Sequence, residues 1–167
     1  MDNFKERLKD IKAFVFDVDG VFSQDMVLHT DGELTRHMNV KDGFAVKTAA
    51  DKGFIIGIIS GGTSESVRKR FQGLGVSDIY LGSQNKIDDY EDFYMKYDLK
   101  PEQILYMGDD IPDYEVMKLS GLATCPADAV EEIQGIAHYI SDKNGGSGCV
   151  RDVIEQVLRA QKKWFSL

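Results

Sequence analysis

Phe14-Val15-Phe16-Asp17-Val18-Asp19-Gly20 is a short apolar run that ends in two carboxylates two residues apart, followed by a glycine. A run of this length closed by Gly predicts a buried strand that stops at a turn. Carboxylates at a strand's carboxyl end stand where open α/β sheets receive ligands. A lone Asp-x-Asp also serves as an ordinary loop cap. Here, however, a second run, Ile104-Leu105-Tyr106-Met107-Gly108-Asp109-Asp110-Ile111-Pro112-Asp113, closes on a second acidic cluster. Two such strand ends side by side would gather several carboxylates, and only a cation between them makes that repulsion tolerable. An all-oxygen set of this kind suits a hard ion, Mg2+ first.

The 167 residues suffice for one well-buried core and are short for two, so a single domain over 1–167 is expected. The fractions of 43% hydrophobic and 29% charged residues are those of a soluble globular chain. A net charge of -8 argues against a broad nucleic-acid footprint. It also means that an anionic substrate needs local cations or a bound metal to enter. No apolar run reaches membrane-spanning length and the N-terminus lacks the core of a signal peptide, so neither a membrane nor nucleic acid is an expected partner. Cys125 and Cys149 are read as two reduced thiols, and the expected location is the cytoplasm.

Residues 2–10 predict a short amphipathic lead-in helix, followed by a strand from Lys12 to Asp17. Met26 to His29 and Glu33 to Val40 flank Asp31-Gly32, a strong hairpin signal, so a β-hairpin flap over about 24–40 leaves the sheet just after Asp19. Asp42 is placed as N-cap of a helix that ends at Gly53. Phe54 to Ile59 is a second buried strand, closing on Ser60-Gly61-Gly62. A helix from Thr63 or Ser64 to Leu74 turns Val67, Phe71 and Leu74 to the core, and Gly75 stops it. Asp78 to Leu81 is a short strand, and a helix starts near Asn85-Lys86. The strand Ile104–Met107 carries the acidic cluster into a helix through Met117. Leu122 to Cys125 is a strand, Ala129 to Gly135 a helix and Tyr139-Ile140 a last strand. Gly145 to Gly148 is read as a flexible loop opening a tail over about 145–167, with an amphipathic helix from Val150 to Lys162. Strands alternating with helices at this spacing argue a mostly parallel α/β sheet with helices on both faces.

The loops after these strands can share one rim of the sheet. Asp17 can attack phosphorus as a nucleophile, giving an aspartyl-phosphate that water hydrolyses. Asp19 can protonate the leaving oxygen and later activate the water. Mg2+ between Asp17 and Asp109 would neutralise the nucleophile and the phosphate oxygens. Ser60, with the amides of Gly61 and Gly62, can hydrogen-bond the transferring group. Lys86 supplies a fixed positive charge. Taken singly each residue has an ordinary reading as a turn, a surface lysine or a helix cap; their order, each at a strand or helix end, is what points to chemistry.

With these residues in view, the chain resembles the haloacid dehalogenase superfamily of phosphotransferases. Asp17-Val18-Asp19-Gly20 looks like its first motif, Ser60 its second, Lys86 its third and Gly108 to Asp113 its fourth. The resemblance implies a Rossmann-like fold and Mg2+ held by Asp17, the Asp19 carbonyl and Asp109, with Asp110 or Asp113 in support through water. A narrower resemblance, over nearly the whole chain, is to the cap-less phosphatases of 3-deoxy-D-manno-octulosonate 8-phosphate. It rests on Lys41-Asp42-Gly43, Ser60-Gly61 with Val67, Arg70, Leu74 and Gly75, Ser83 to Lys86, and Gly145 to Asp152. It implies a phosphorylated sugar acid as substrate, a homotetramer whose flap and tail help close a neighbour's site, and Arg70 facing the sugar-acid carboxylate. Arg68 lies about 200° around the helix from Arg70 and cannot easily share that duty. The spacing agrees independently: Asp19–Asp42 and Ser60–Lys86 are too short to hold a cap domain. One departure is Gly62, where such phosphatases often carry a long charged side chain, and it leaves eight- and nine-carbon sugar acids both open.

His29, His37 and His138 are scattered and are read as structural or surface residues. Trp164 and Phe165 are read as packing or subunit contacts. A receiver-type phospho-acceptor module shares the α/β fold, the acidity and an aspartate with Mg2+, but it needs no acid/base beside its acceptor, and Asp19 supplies one here. A silent regulatory domain is disfavoured by the intact set of Asp17, Asp19, Ser60, Lys86 and Asp109.

Overall fold

The computed structural model describes residues 3–76 and 78–166. After the short helix α1 (Phe4–Arg7) comes strand β1 (Ala13–Phe16), every side chain of which is buried. Phe14 and Phe16 pack into the apolar cluster on one face of the sheet, Ala13 and Val15 into that on the other. A strand covered on both faces has no use for polar alternation, which is why the run is apolar throughout.

The chain leaves β1 through an antiparallel hairpin, β2 (Met26–Leu28) and β3 (Leu34–Arg36), and returns by α2 (Val40–Asp51) to β4 (Ile55–Ser60). Helix α3 (Glu65–Gly73) leads to β5 (Asp78–Leu81), and α4 (Lys86–Lys96) crosses to β6 (Ile104–Met107). Then follow α5 (Tyr114–Leu119), β7 (Leu122–Cys125), α6 (Glu131–Gln134), β8 (Tyr139–Ile140) and α7 (Cys149–Ala160). The strand order is β5-β4-β1-β6-β7-β8, with every pair parallel. The chain builds outward from β1 to β5, then starts again at β6 on the other side of β1. The carboxyl ends of β1 and β6 therefore flank the point where the winding reverses, and a crevice opens there in such sheets.

Helices cover both faces. Helix α7 turns Val150, Val153, Ile154, Val157 and Leu158 inward, the i, i+3, i+4, i+7, i+8 stripe of an amphipathic helix, and packs against Ala45, Val46 and Ala49 of α2. Tyr90 and Phe93 of α4 and Val116 and Met117 of α5 fill the opposite face. Among the described residues, the stretch between Asp19 and Asp42 holds only the hairpin and the start of α2, and that between Ser60 and Lys86 only α3 and β5. Neither holds a cap domain. No helix among the described residues is long and apolar enough to cross a membrane.

Four expectations change. Asp42 does not cap α2. Asn39 does, its carboxamide oxygen accepting the Lys41 N–H at 2.8 Å. Asp42 is wholly buried, and its Oδ1 accepts the Arg151 N–H at 2.8 Å in the first turn of α7, a tertiary partner that local sequence does not reveal. The lead-in helix is shorter than 2–10, with Leu8 to Asp10 in a turn and Asp2 outside the described residues. Helix α6 starts two residues late, because the Val130 N–H donates to the Asp109 carbonyl at 3.0 Å. The loop 145–148 is tied down: the Gly146 N–H donates to the Val21 carbonyl at 2.8 Å and the Gly145 N–H to Asp128 Oδ1 at 2.9 Å. The tail beyond it is described as far as Ser166, with Leu167 outside.

Candidate active site

Phe16 pairs with Met107, and the Asp17 N–H donates to the Met107 carbonyl at 3.0 Å. This register sets the first turn beyond β1 beside the first turn beyond β6. Asp17, Asp109 and Asp113 consequently offer oxygens that all lie within 4.8 Å of one another. Between Asp17 and Asp113 stands Lys86, at the first position of α4. Its Nζ is 2.9 Å from Asp17 Oδ2 and 2.8 Å from Asp113 Oδ1, and all three side chains are buried.

Asp113 uses both its oxygens on the protein. Oδ1 accepts from Lys86 and from the Tyr106 hydroxyl, at 2.8 and 2.6 Å; Oδ2 accepts the N–H groups of Asp109 and Asp110, at 3.0 and 3.4 Å. Four donors fill the four acceptor positions of a carboxylate. Asp110 points away and caps the turn that follows, its Oδ1 accepting the Ile111 N–H at 2.7 Å.

Burial raises Asp17 well above the ordinary carboxylate range; Asp113 repels it further and Lys86 offsets part of the rise. Burial, then Asp113 and Asp110, push Asp109 up to about 7. Lys86 is pulled down by burial, but Asp17 and Asp113 outweigh this and hold it above its usual value. Three carboxylates therefore share one buried ammonium, and the surplus is negative. The donor set is all oxygen. Gly20 shapes the space for it: with φ at +87, a Cβ there would stand 1.8 Å from Asp109 Oδ2. Only a residue without a side chain lets that carboxylate lie against the turn after β1. These features fit a hard divalent cation.

Two further elements reach the same rim. Ser60 ends β4, and its Oγ accepts the Gly62 N–H at 3.2 Å, so its own proton is free to point elsewhere. The Gly62 amide is thereby engaged by the protein. From the hairpin comes Arg36, which grips Asp19: Nε to Oδ1 at 2.5 Å and Nη2 to Oδ2 at 3.0 Å. The Ser23 hydroxyl adds a third donor to Asp19 Oδ1 at 3.3 Å.

Residues 59–154 match the family described as haloacid dehalogenase-like hydrolase. The chain belongs to the haloacid dehalogenase-like hydrolases. Among curated relatives, the 3-deoxy-D-manno-octulosonate 8-phosphate phosphatase of Escherichia coli (strain K12) is 34% identical over 158 residues, covering 94% of this chain and 84% of the relative. The crystal structure of the Yersinia pestis phosphatase of the same name has a TM-score of 0.94 at 32% identity, covering 97% of this chain and 88% of that one. That of the Moraxella catarrhalis phosphatase, in complex with a magnesium ion, a phosphate ion and KDO, has a TM-score of 0.92 at 31% identity, covering 95% and 92%.

In this haloacid dehalogenase-like hydrolase the fold brings together Asp17, Asp19, Ser60, Gly61, Gly62, Lys86, Asp109 and Asp113 along one rim of the sheet. The exposed side chain of Arg70 lies against α2, where a Cβ on Gly43 would meet its Nη2 at 2.4 Å. Sequence reasoning missed Arg36 and Tyr106. Tyr106 had a signal: a tyrosine inside a buried strand needs a partner for its hydroxyl. Arg36 had a weaker one, a cation on a hairpin that starts right after Asp19, because which hairpin residue turns inward depends on a register the sequence does not state.

Proposed function

We propose that this hydrolase is a Mg2+-dependent phosphatase that converts 3-deoxy-D-manno-octulosonate 8-phosphate to the free sugar acid and phosphate, in lipopolysaccharide sugar synthesis. The observation that carries the chemistry is Asp17. It is a buried carboxylate at the reversal point of the sheet, paired to Lys86 at 2.9 Å, with Asp109 and Asp113 beside it. The relatives named above supply the substrate.

In this reading an oxygen of Asp17 attacks phosphorus while the sugar oxygen leaves with a proton from Asp19. Water then attacks the phosphorus of the aspartyl-phosphate, giving its proton to Asp19 and releasing phosphate and the Asp17 carboxylate. Ser60 donates its free O–H to a phosphoryl oxygen, with the Gly61 and Gly62 loop shaping the pocket around it. Lys86 holds Asp17 in place. Asp113 binds no metal directly; its four hydrogen bonds orient Lys86 and the Asp109 turn. Asp17, Asp109 and the Asp19 carbonyl would hold Mg2+, which neutralises charge on the transferring phosphoryl group.

The same reading takes the chain as one cap-less domain, working in the cytoplasm as a homotetramer. In support, Met26, Val27, Leu28 and Leu34 of the hairpin are exposed, an apolar surface suited to a neighbouring copy. Sedimentation should give about four times the 18.7 kDa chain mass, and a monomer at micromolar concentration would refute the tetramer.

The deciding assay is phosphate release from 3-deoxy-D-manno-octulosonate 8-phosphate beside a nine-carbon ulosonate 9-phosphate, with and without Mg2+. Mg2+-dependent preference for the eight-carbon substrate is expected. Preference for the other keeps the mechanism and changes the sugar; turnover of neither overturns the phosphatase reading.

A further inference from the structure

Among the described residues, Lys86 and Arg36 are the cations paired to the carboxylates of the site. Lys86 is committed between two buried aspartates. Arg36 arrives from the hairpin and makes a two-pronged pair with Asp19, its side chain only 6% exposed. Fork-to-carboxylate pairs of this kind are strong and directional. This one occupies both oxygens of the residue assigned to hand a proton to the leaving group. For an Asp19 oxygen to meet the leaving group, Arg36 has to let go.

Gly62 marks the direction in which it can move. Its φ lies outside the left-handed region, so the backbone there accepts any residue. What a side chain would crowd is Arg36: a Cβ at this position would stand 3.1 Å from its Nη2 and in ordinary contact, 3.6 Å, with Asp19 Oδ2. The loop after β4 carries no side chain where the hairpin delivers a guanidinium. Next to it a cavity of about 580 Å³ opens between hairpin and loop. Thr35, Thr63, Ser64, Ser66, Glu33 and Glu65 line it, hydroxyls and carboxylates that match the hydroxyls of a polyol, and Arg36 is the one cation among the lining residues.

We propose that Arg36 reads the substrate's carboxylate, leaving Asp19 for the sugar acid through the space that Gly62 keeps open. The proposal rests on the sugar-acid reading above and assigns its specificity. One bidentate carboxylate pair replaces another, so the exchange needs little net free energy. It frees the Asp19 oxygens only when a carboxylated substrate is in place. A phosphate ester without a carboxylate has nothing to draw Arg36 away.

The test is steady-state kinetics on 3-deoxy-D-manno-octulosonate 8-phosphate and on p-nitrophenyl phosphate, with Mg2+ present. Wild type, Arg36→Ala and the double variant Arg36→Ala/Gly62→Lys are compared after circular dichroism has verified folding. In Arg36→Ala the ratio of kcat/KM for the sugar acid over the carboxyl-free ester should fall about 100-fold, as for loss of one partner of a desolvated charge pair. Returning a cation at position 62 should recover about tenfold of it, which a merely structural role would not give. Equal falls for both esters would make Arg36 only a positioning residue for Asp19 and overturn the proposal. So would a ratio that survives in Arg36→Ala when wild type discriminates. Wild type that cleaves p-nitrophenyl phosphate but no sugar acid would instead overturn the substrate reading, and the proposal with it.

Discussion

The Tyr106 hydroxyl donates to Asp113 Oδ1 at 2.6 Å, inside the protein and next to Lys86. It is the fourth donor on a carboxylate that also orients the Asp109 turn. Tyr106→Phe should leave one buried acceptor position empty and let Lys86 shift from Asp17 toward Asp113. We expect a stability loss of about 2 kcal/mol by urea unfolding, the scale of a hydrogen bond to a charged group. The kcat should fall about tenfold with KM little changed, the mark of an interaction felt mainly in the transition state. Unchanged kcat would remove Tyr106 from the positioning chain.

Asp17→Asn keeps shape and burial but removes the nucleophile. Phosphate release should drop by about 10⁴-fold or more while the far-ultraviolet dichroism stays native. Undiminished turnover would rule out the nucleophile assignment.

Lys86→Met removes the ammonium that separates Asp17 from Asp113. Taking one partner from a buried pair costs about 3–5 kcal/mol. Mg2+ should return part of that stability by supplying positive charge at the same carboxylates. Unfolding curves in chelator and in excess Mg2+ measure both effects, and equal losses in the two would argue against a cation site here.

Asp109, pushed up to about 7 in the metal-free protein, predicts a pH dependence. A cation needs the carboxylate, so Mg2+ affinity by calorimetry should be level above about pH 8 and fall about tenfold per unit below 7. For metal-free stability the sign is the reverse. The folded state holds this proton more tightly than the unfolded state, whose value is near 3.8. Asp109 therefore stabilises the fold increasingly as pH falls from 7 toward 4, and that contribution is lost as pH rises through 7. Flat affinity between pH 6 and 8 would place the metal away from Asp109.

Asp42 joins α2 to the start of α7, yet its Oδ2 has no partner among the described residues. Burial raises its pKa, against the hydrogen bonds from Arg151 and Gly148. Asp42→Asn keeps the acceptor and sheds the charge, and should be neutral or stabilising. Asp42→Ala leaves the Arg151 N–H without an acceptor, at a cost of about 1–3 kcal/mol. Equal melting behaviour for the two variants would refute this division.

Much of the architecture was legible in the chain. The runs at 14–16, 55–59 and 104–107 are apolar because both sheet faces are covered, and each gives way at the rim to polar residues that need partners: Asp17, Ser60 and Asp109. Helix ends were read less well wherever a distant group supplies the hydrogen bond, as Arg151 does for Asp42 and the Asp109 carbonyl does for Val130.

By itself the sequence determined the parallel α/β sheet, the acidic first and fourth motifs and the lack of room for a cap domain, since these follow from local periodicity and spacing. Only the tertiary structure decided that Asp113 is saturated by Lys86, Tyr106 and two main-chain amides, and that Arg36, not Arg70, meets an aspartate of the site. The side-chain pairs among those relations are 7 to 27 positions apart. Their direction is set by strand register and helix rotation, which are properties of the packed sheet and not of any one segment.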